Sequence, residues 1–179
     1  MHPCYKPSWR KKVSSRLEEI EPGQEVFLDA NVFIYHFTGR SRACRALLER
    51  CETSEVQGIT GAHVVLEVLH RLMMLEAVQR GLVLPGNVAR RLKEHPEVVR
   101  VLGEYARHAG RIPDMGIQVL PVDSELVQAS HEVRRQAGLL VHDSISVAMM
   151  ERQVLKAIAT QDRDFLKVAR VQVYMADDV

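Results

Sequence analysis

The stretch Q-E-V-F-L-D-A-N, Gln24 to Asn31, decides the architecture. Val26, Phe27 and Leu28 form an apolar run too short for a helix, the pattern of a buried strand. The run stops at the carboxylate of Asp29, and Ala30-Asn31 reads as a loop-prone polar turn. The same grammar recurs in K-A-I-A-T-Q-D, where Lys156 to Thr160 reads as a second buried strand and Asp162 follows it. Val56 to Thr60 reads as a brief strand or turn, and Ile117 to Pro121 and Val171 to Met175 as further strands. Helical patterns lie between them: about Ser41 to Glu52 with Ser41 as N-cap, and an apolar helix carrying Glu67. Asn87 to Glu94 and Pro96 to His108 follow, then Asp123-Ser124 through Ala137 with Gly138 as the stop, and a helix starting near His142. Asp164 is expected to open a short last helix. This alternation argues an α/β fold with a parallel sheet.

A chain of 179 residues suits one domain with a core that needs neither disulfides nor structural metal. Charged residues at 26% and hydrophobic ones at 46% are ordinary globular values. The net charge of +1 supplies no strongly basic field, so any contact with RNA must be local. Basic residues gather at Lys6, Arg10, Lys11, Lys12 and Arg16 and again at Arg40, Arg42 and Arg45; each cluster taken alone reads as solvated surface. Cys4, Cys44 and Cys51 lack zinc-site spacing, and Cys44 and Cys51 share a helix face as small buried hydrophobes. A reduced, cytoplasmic setting is expected, with no membrane segment and no secretion signal. Without repeats or flexible linkers, the expected division is an arm over residues 1–24 and one domain over 25–179, with a helical insertion at about 76–113.

Asp29 and Asp162 each end an apolar strand, where an acid is costly unless solvated, paired or bound to a cation. That rim of an open parallel sheet is where ligands bind. Asp143 opens a helix on the same rim, although an N-terminal helix carboxylate also has a plain structural explanation. Glu67 lies among Val64, Val65, Leu66, Val68 and Leu69, with Arg71 as its one opposite charge a turn away. Carboxylates converging on one rim repel one another unless a divalent cation neutralises them, and oxygen-only ligands favour Mg2+ or Mn2+. Such a site suits phosphodiester hydrolysis. His142 reads as helix-start packing or exposed, His63 and His70 lack a third zinc ligand, and Met73, Met74, Met149 and Met150 read as core or dimer contacts. A phosphatase built on Asp29 lacks a second Asp two residues on, where Asn31 stands, and no phosphate-cradling glycine loop is present.

Four blocks, Val26 to Tyr35 (V-F-L-D-A-N-V-F-I-Y), Leu66 to Leu72 (L-E-V-L-H-R-L), His142 to Ala148 (H-D-S-I-S-V-A) and Ala159 to Phe165 (A-T-Q-D-R-D-F), together resemble the PIN-domain family in order and type, and VapC-type toxin ribonucleases above all. The resemblance spans about Glu25 to Met175. It implies a three-layer α/β/α sandwich around a parallel sheet and metal-dependent endoribonuclease activity with Mg2+ or Mn2+. By block, Asp29, Glu67, Asp143 and Asp162 take the acidic positions. Asn31 and Thr160 take supporting polar ones, and Asp164 stands either as a further acid or as a helix cap. The partners implied are an RNA substrate, a VapB-type antitoxin and a second copy in a homodimer. The arm and the helical insertion depart from a minimal toxin of this kind. Two alternatives remain: an RNA-processing nuclease of the same fold without an antitoxin, and a catalytically silent interaction module.

Overall fold

The structure, a computed structural model, describes residues 14–179. Cys4, Lys6, Arg10, Lys11 and Lys12 lie outside the described residues. Six strands, β1 (Ser15–Arg16), β2 (Glu25–Leu28), β3 (Gln57–Gly61), β4 (Gln118–Leu120), β5 (Ala157–Ala159) and β6 (Gln172–Met175), form one sheet in the order β1-β6-β5-β2-β3-β4. Every pairing is parallel. Parallel neighbours need crossovers, and these are α1 (Ala30–Phe37) and α2 (Arg42–Glu52) after β2, α3 (Ala62–Gln79), α4 (Val88–Glu94), α5 (Pro96–Arg100) and α6 (Glu104–Gly110) after β3, and α7 (Ser124–Ala137) and α8 (Val141–Arg152) after β4. The path runs outward from β2 to β4 and then returns to β5, so right-handed crossovers send α1 to α6 to one face and α7 and α8 to the other. The packing agrees: α1 lies on α2 and α3, α3 on α6, and α7 on α8. The result is the expected three-layer α/β/α sandwich.

The central strands carry unbroken apolar runs because both faces are covered: Val26, Phe27, Leu28, Ala157, Ile158 and Ala159 are all buried. Cys44 and Cys51 are buried as well, on the inner face of α2, and burial pushes both thiols up to about 11, which keeps them protonated. The chain before β2 takes part in the same core. Leu17 and Ile20 are buried, β1 extends the sheet beside β6, and the Arg50 guanidinium donates to the Ile20 carbonyl at 2.6 Å.

Two local expectations need correction. Ala30-Asn31 is the first turn of α1 and not a loop: Asp29 occupies the N-cap and its Oδ1 accepts from the Ala30 N–H at 2.8 Å. The run Val32-Phe33-Ile34-Tyr35 is rich in strand-forming types, but an Asp directly after a strand is a helix cap, and burial of Val32 and Phe33 holds the helix against the sheet. Pro96 to His108 is likewise two helices. The chain breaks at Val101 to Gly103, and α6 begins afresh with the carboxylate of Glu76 accepting from the Gly103 and Tyr105 N–H groups at 3.0 and 2.9 Å.

Beyond Gln79 the chain leaves α3 and folds α4 and α5 into a second small core, in which Ala77, Val83, Leu92 and Leu102 are buried against Met73, Met74 and Val78 of α3. Glu76 fastens this layer. Burial opposes its charge, yet the N–H groups of Tyr105 and Gly103 and the Arg80 guanidinium hold its carboxyl below the ordinary range. None of the described helices is long and apolar enough to cross a membrane.

Candidate active site

The path through the sheet reverses at β2, whose neighbours β3 and β5 belong to opposite directions of travel; the crevice beyond the strand ends opens there. The register sets Leu28 beside Ala159, and the Asp29 N–H donates to the Ala159 carbonyl at 3.1 Å. Asp29 and Thr160 are thereby brought side by side. Thr160 Oγ1 donates to Asp29 Oδ2 at 2.6 Å and accepts from Asn31 Nδ2 at 3.1 Å and from the Asp162 N–H at 2.9 Å. A hydroxyl has one donor and two acceptor positions, so this one is saturated. Asn31 Nδ2 also donates to Asp29 Oδ2 at 2.7 Å, while its Oδ1 accepts from the Gln161 N–H at 3.0 Å. With Ala30 on Oδ1, three of the roughly four acceptor positions of the Asp29 carboxylate are filled by protein donors. One remains.

Asp29, Asn31, Glu67, Asp143 and Asp162 line one pocket of about 700 Å3. Glu67 arrives from the second turn of α3, Asp143 from the first turn of α8 and Asp162 from the turn after β5. Asp143 is not the N-cap of α8: that position belongs to Leu140, and Asp143 stands inside the first turn. Asp162 is the residue that caps the last 3-10 turn (Arg163–Lys167), with Oδ1 accepting from the Asp164 N–H at 2.8 Å. The expectation that Asp164 caps that turn is therefore corrected: Asp164 turns to Lys167, 2.7 Å away, and the pocket lining does not include it. The cap falls two residues earlier because Asp162 already has the extended backbone that an N-cap requires.

Desolvation pushes the Asp29 carboxyl up to about 6, against the hydrogen bonds from Thr160 and Ala30 and with the charges of Glu67 and Asp143 adding to the rise. Asp143 is also raised, by desolvation first and then by Asp162, Glu67 and Asp164. Glu67 is half-buried and faces the Arg71 guanidinium, with Nε at 3.8 Å from one carboxylate oxygen, and the His142 imidazole, with Nδ1 at 3.6 Å from the other. Among the described residues, no group of three or more His, Cys, Asp and Glu side chains is arranged closely enough to hold a metal ion as it stands. The acids nonetheless fit a hard divalent cation by chemistry. All the donors are oxygens, Asp29 keeps one acceptor position open, and the two most deeply set carboxyls have raised pKa values that a cation would bring down.

His142 stands closer to the acids than its sequence context suggests, although its side chain is exposed. His63 is spent elsewhere: its Nε2 lies 2.9 Å from Ser146 Oγ, and burial lowers its pKa to about 4, so the ring is neutral. Among the lining residues that went unread as site residues are Ile34, Tyr35 and Val88. The i, i+3 and i+4 spacing of Asn31, Ile34 and Tyr35 would have revealed the first two once α1 was recognised as a helix. No sequence signal marks Val88, which reaches the pocket from the start of α4.

The sequence profile of the PIN domain family matches residues 26–171. Ribonuclease VapC2 of Methanocaldococcus jannaschii is 26% identical over 157 residues, covering 83% of this chain and 92% of that protein. Among solved structures, the chain is similar to VapC20 of Mycobacterium tuberculosis, a toxin that cleaves the sarcin-ricin loop, with a TM-score of 0.55 at 17% identity over 83% of this chain and 98% of that one. VapBC2 of Rickettsia felis, bound to a DNA fragment from its promoter, gives 0.54 at 10% identity over 86% and 100%.

Proposed function

The chain belongs to the PIN domain family, and from that membership we propose that it is a metal-dependent endoribonuclease, the toxin of a VapBC-type pair. The observation that carries the reading is the convergence of Asp29, Glu67, Asp143 and Asp162 on one pocket at the switch point of a parallel sheet. Similarity to Ribonuclease VapC2 supports the substrate class.

In this reading Asp29, Glu67, Asp143 and Asp162 hold Mg2+ or Mn2+, with Asn31 and Thr160 fixing the orientation of Asp29. The cation, when bound, supplies charge neutralisation and a water acidic enough to act near neutral pH. The protein's own part is positional. Asp29 is locked by three donors, whereas Glu67 has only the longer contacts to His142 at 3.6 Å and Arg71 at 3.8 Å. Arg40 and Arg71 border the same pocket and would meet the phosphates of a strand lying across it. Asp164, occupied with Lys167, is assigned no ligand role.

Similarity to a structure solved as a VapBC assembly supports an antitoxin partner, and a small basic-tailed protein encoded beside this one would separate the toxin from an antitoxin-free RNA-processing nuclease. The test of activity is to map newly formed RNA ends after inducing the wild-type protein and an Asp143→Asn control. New ends confined to the wild type are expected; matching profiles would overturn the nuclease reading.

A further inference from the structure

The pocket is acidic at one end only. Its opposite wall is apolar, built by Ile34 and Tyr35 of α1, Leu75 of α3, and Pro85 and Val88 at the entrance to the insertion. Leu75 is 38% exposed there. Phosphodiester hydrolysis needs charge and water, and an apolar wall open to solvent serves neither; such a surface beside a polar site marks recognition. The one aromatic ring in this lining is that of Tyr35, and the Arg40 guanidinium lies over it, 5.1 Å from the ring centroid. Aromatic rings and guanidinium planes are the surfaces on which unstacked nucleobases lie, and here the two are layered together at the pocket. Arg40 and Arg71 on the rim favour a polyanion over an apolar peptide.

Resting on the nuclease reading above, we propose that this wall is a nucleobase subsite: a base beside the scissile phosphate leaves its stack and lies against Tyr35 and the entrance of the insertion. Cleavage then depends on that base, and the insertion is part of the substrate site. The volume of about 700 Å3 is within the range of pockets that enclose a small organic molecule. A base paired inside a duplex cannot reach it.

The test uses a single-stranded oligoribonucleotide that the wild-type protein cuts, and the same strand with the base on one or the other side of the cut linkage removed. One abasic strand is expected to be cut slower by about tenfold or more, the size of one base–aromatic stack. Tyr35→Ala should shrink that ratio towards one; Arg40→Gln, at an exposed position, should shrink it in part and guards against misfolding of the first variant. Binding is read separately with a fluorescent purine analogue at the same position and the Asp143→Asn protein, which should quench it unless Tyr35→Ala is added. Equal cutting of intact and abasic strands, with no quenching, would overturn the subsite while leaving the nuclease reading intact and would give the wall to a protein partner. If wild type cuts no single-stranded RNA offered to it, quenching that Tyr35→Ala abolishes would still support a base site at this wall and would sink the nuclease reading instead.

Discussion

Thr160 shows how much one side chain carries. It is buried, and its hydroxyl joins Asp29, Asn31 and the backbone at Asp162. Thr160→Val keeps the shape and removes every one of these bonds, so the variant should lose about 1–3 kcal/mol in a denaturant melt, because buried partners are left unsatisfied. Its affinity for Mn2+ should fall about 10–100-fold, the effect of losing a support behind a metal ligand. A titration indistinguishable from wild type would remove Thr160 from the site. A second prediction follows from the raised pKa values of Asp29, at about 6, and Asp143. A carboxyl with a raised folded-state pKa stabilises the fold below its ordinary pKa of 3.8, and that contribution is lost as pH rises through the folded value. The metal-free protein should therefore lose thermal stability between about pH 4 and pH 7. Asp143→Asn should flatten the decline, and the loss should not appear with millimolar Mg2+; a flat profile for metal-free wild type would refute the electrostatic account. Sequence made Asp29 and Asp162 visible because a carboxylate at the end of an apolar strand has no packing rationale. It left Asp143 open between cap and ligand, since only the structure shows that the N-cap is Leu140 and that Asp143 lies within the first turn.

At the scale of elements, α8 ends in a Schellman motif: the Val154 N–H donates to the Glu151 carbonyl at 3.2 Å and the Leu155 N–H to the Met150 carbonyl at 2.8 Å. The motif puts Val154 at φ +60°, a conformation that suits glycine and strains a β-branched side chain, and here that side chain is 76% exposed with little packing to lose. Val154→Gly should stabilise the protein by about 1 kcal/mol, read as a higher denaturant midpoint with an unchanged slope. A lower midpoint would show that Val154 contributes contacts outweighing the strain. Elements with strong end signals were legible: Ser41 caps α2, Asp123 caps α7, and Gly138 closes α7 in the left-handed conformation. Those whose boundaries come from tertiary partners were not. The break between α5 and α6 is stabilised by Glu76 from a different helix, and α1 was hidden by strand-forming residues whose helical state is fixed by packing.

For the whole molecule, the parallel sheet was legible because strands buried on both faces read as unbroken apolar runs. The place of α4 and α5 was not, since their small core forms against α3 and Tyr105 of α6. A further apolar groove is lined by Val65, Leu69, Ala106, Ala109, Pro113 and Val119, and Leu66, the neighbour of Val65 along α3, is 66% exposed. We propose that a second copy covers it. Light scattering at micromolar concentration should give a dimer mass that Leu66→Lys reduces to a monomer, whereas a monomeric wild type would contradict the assignment. The central claim is that the four acids hold a cation without which RNA is not cut. Its direct test is the rate at which purified protein cleaves a labelled single-stranded RNA in Mn2+, in excess chelator, after Mn2+ is restored, and in Mn2+ with Asp143→Asn. The account predicts cleavage abolished by chelator, recovered with the metal, and slowed about a hundredfold or more by the substitution in a protein that still melts cooperatively. Undiminished cleavage in chelator, or by well-folded Asp143→Asn, would contradict it.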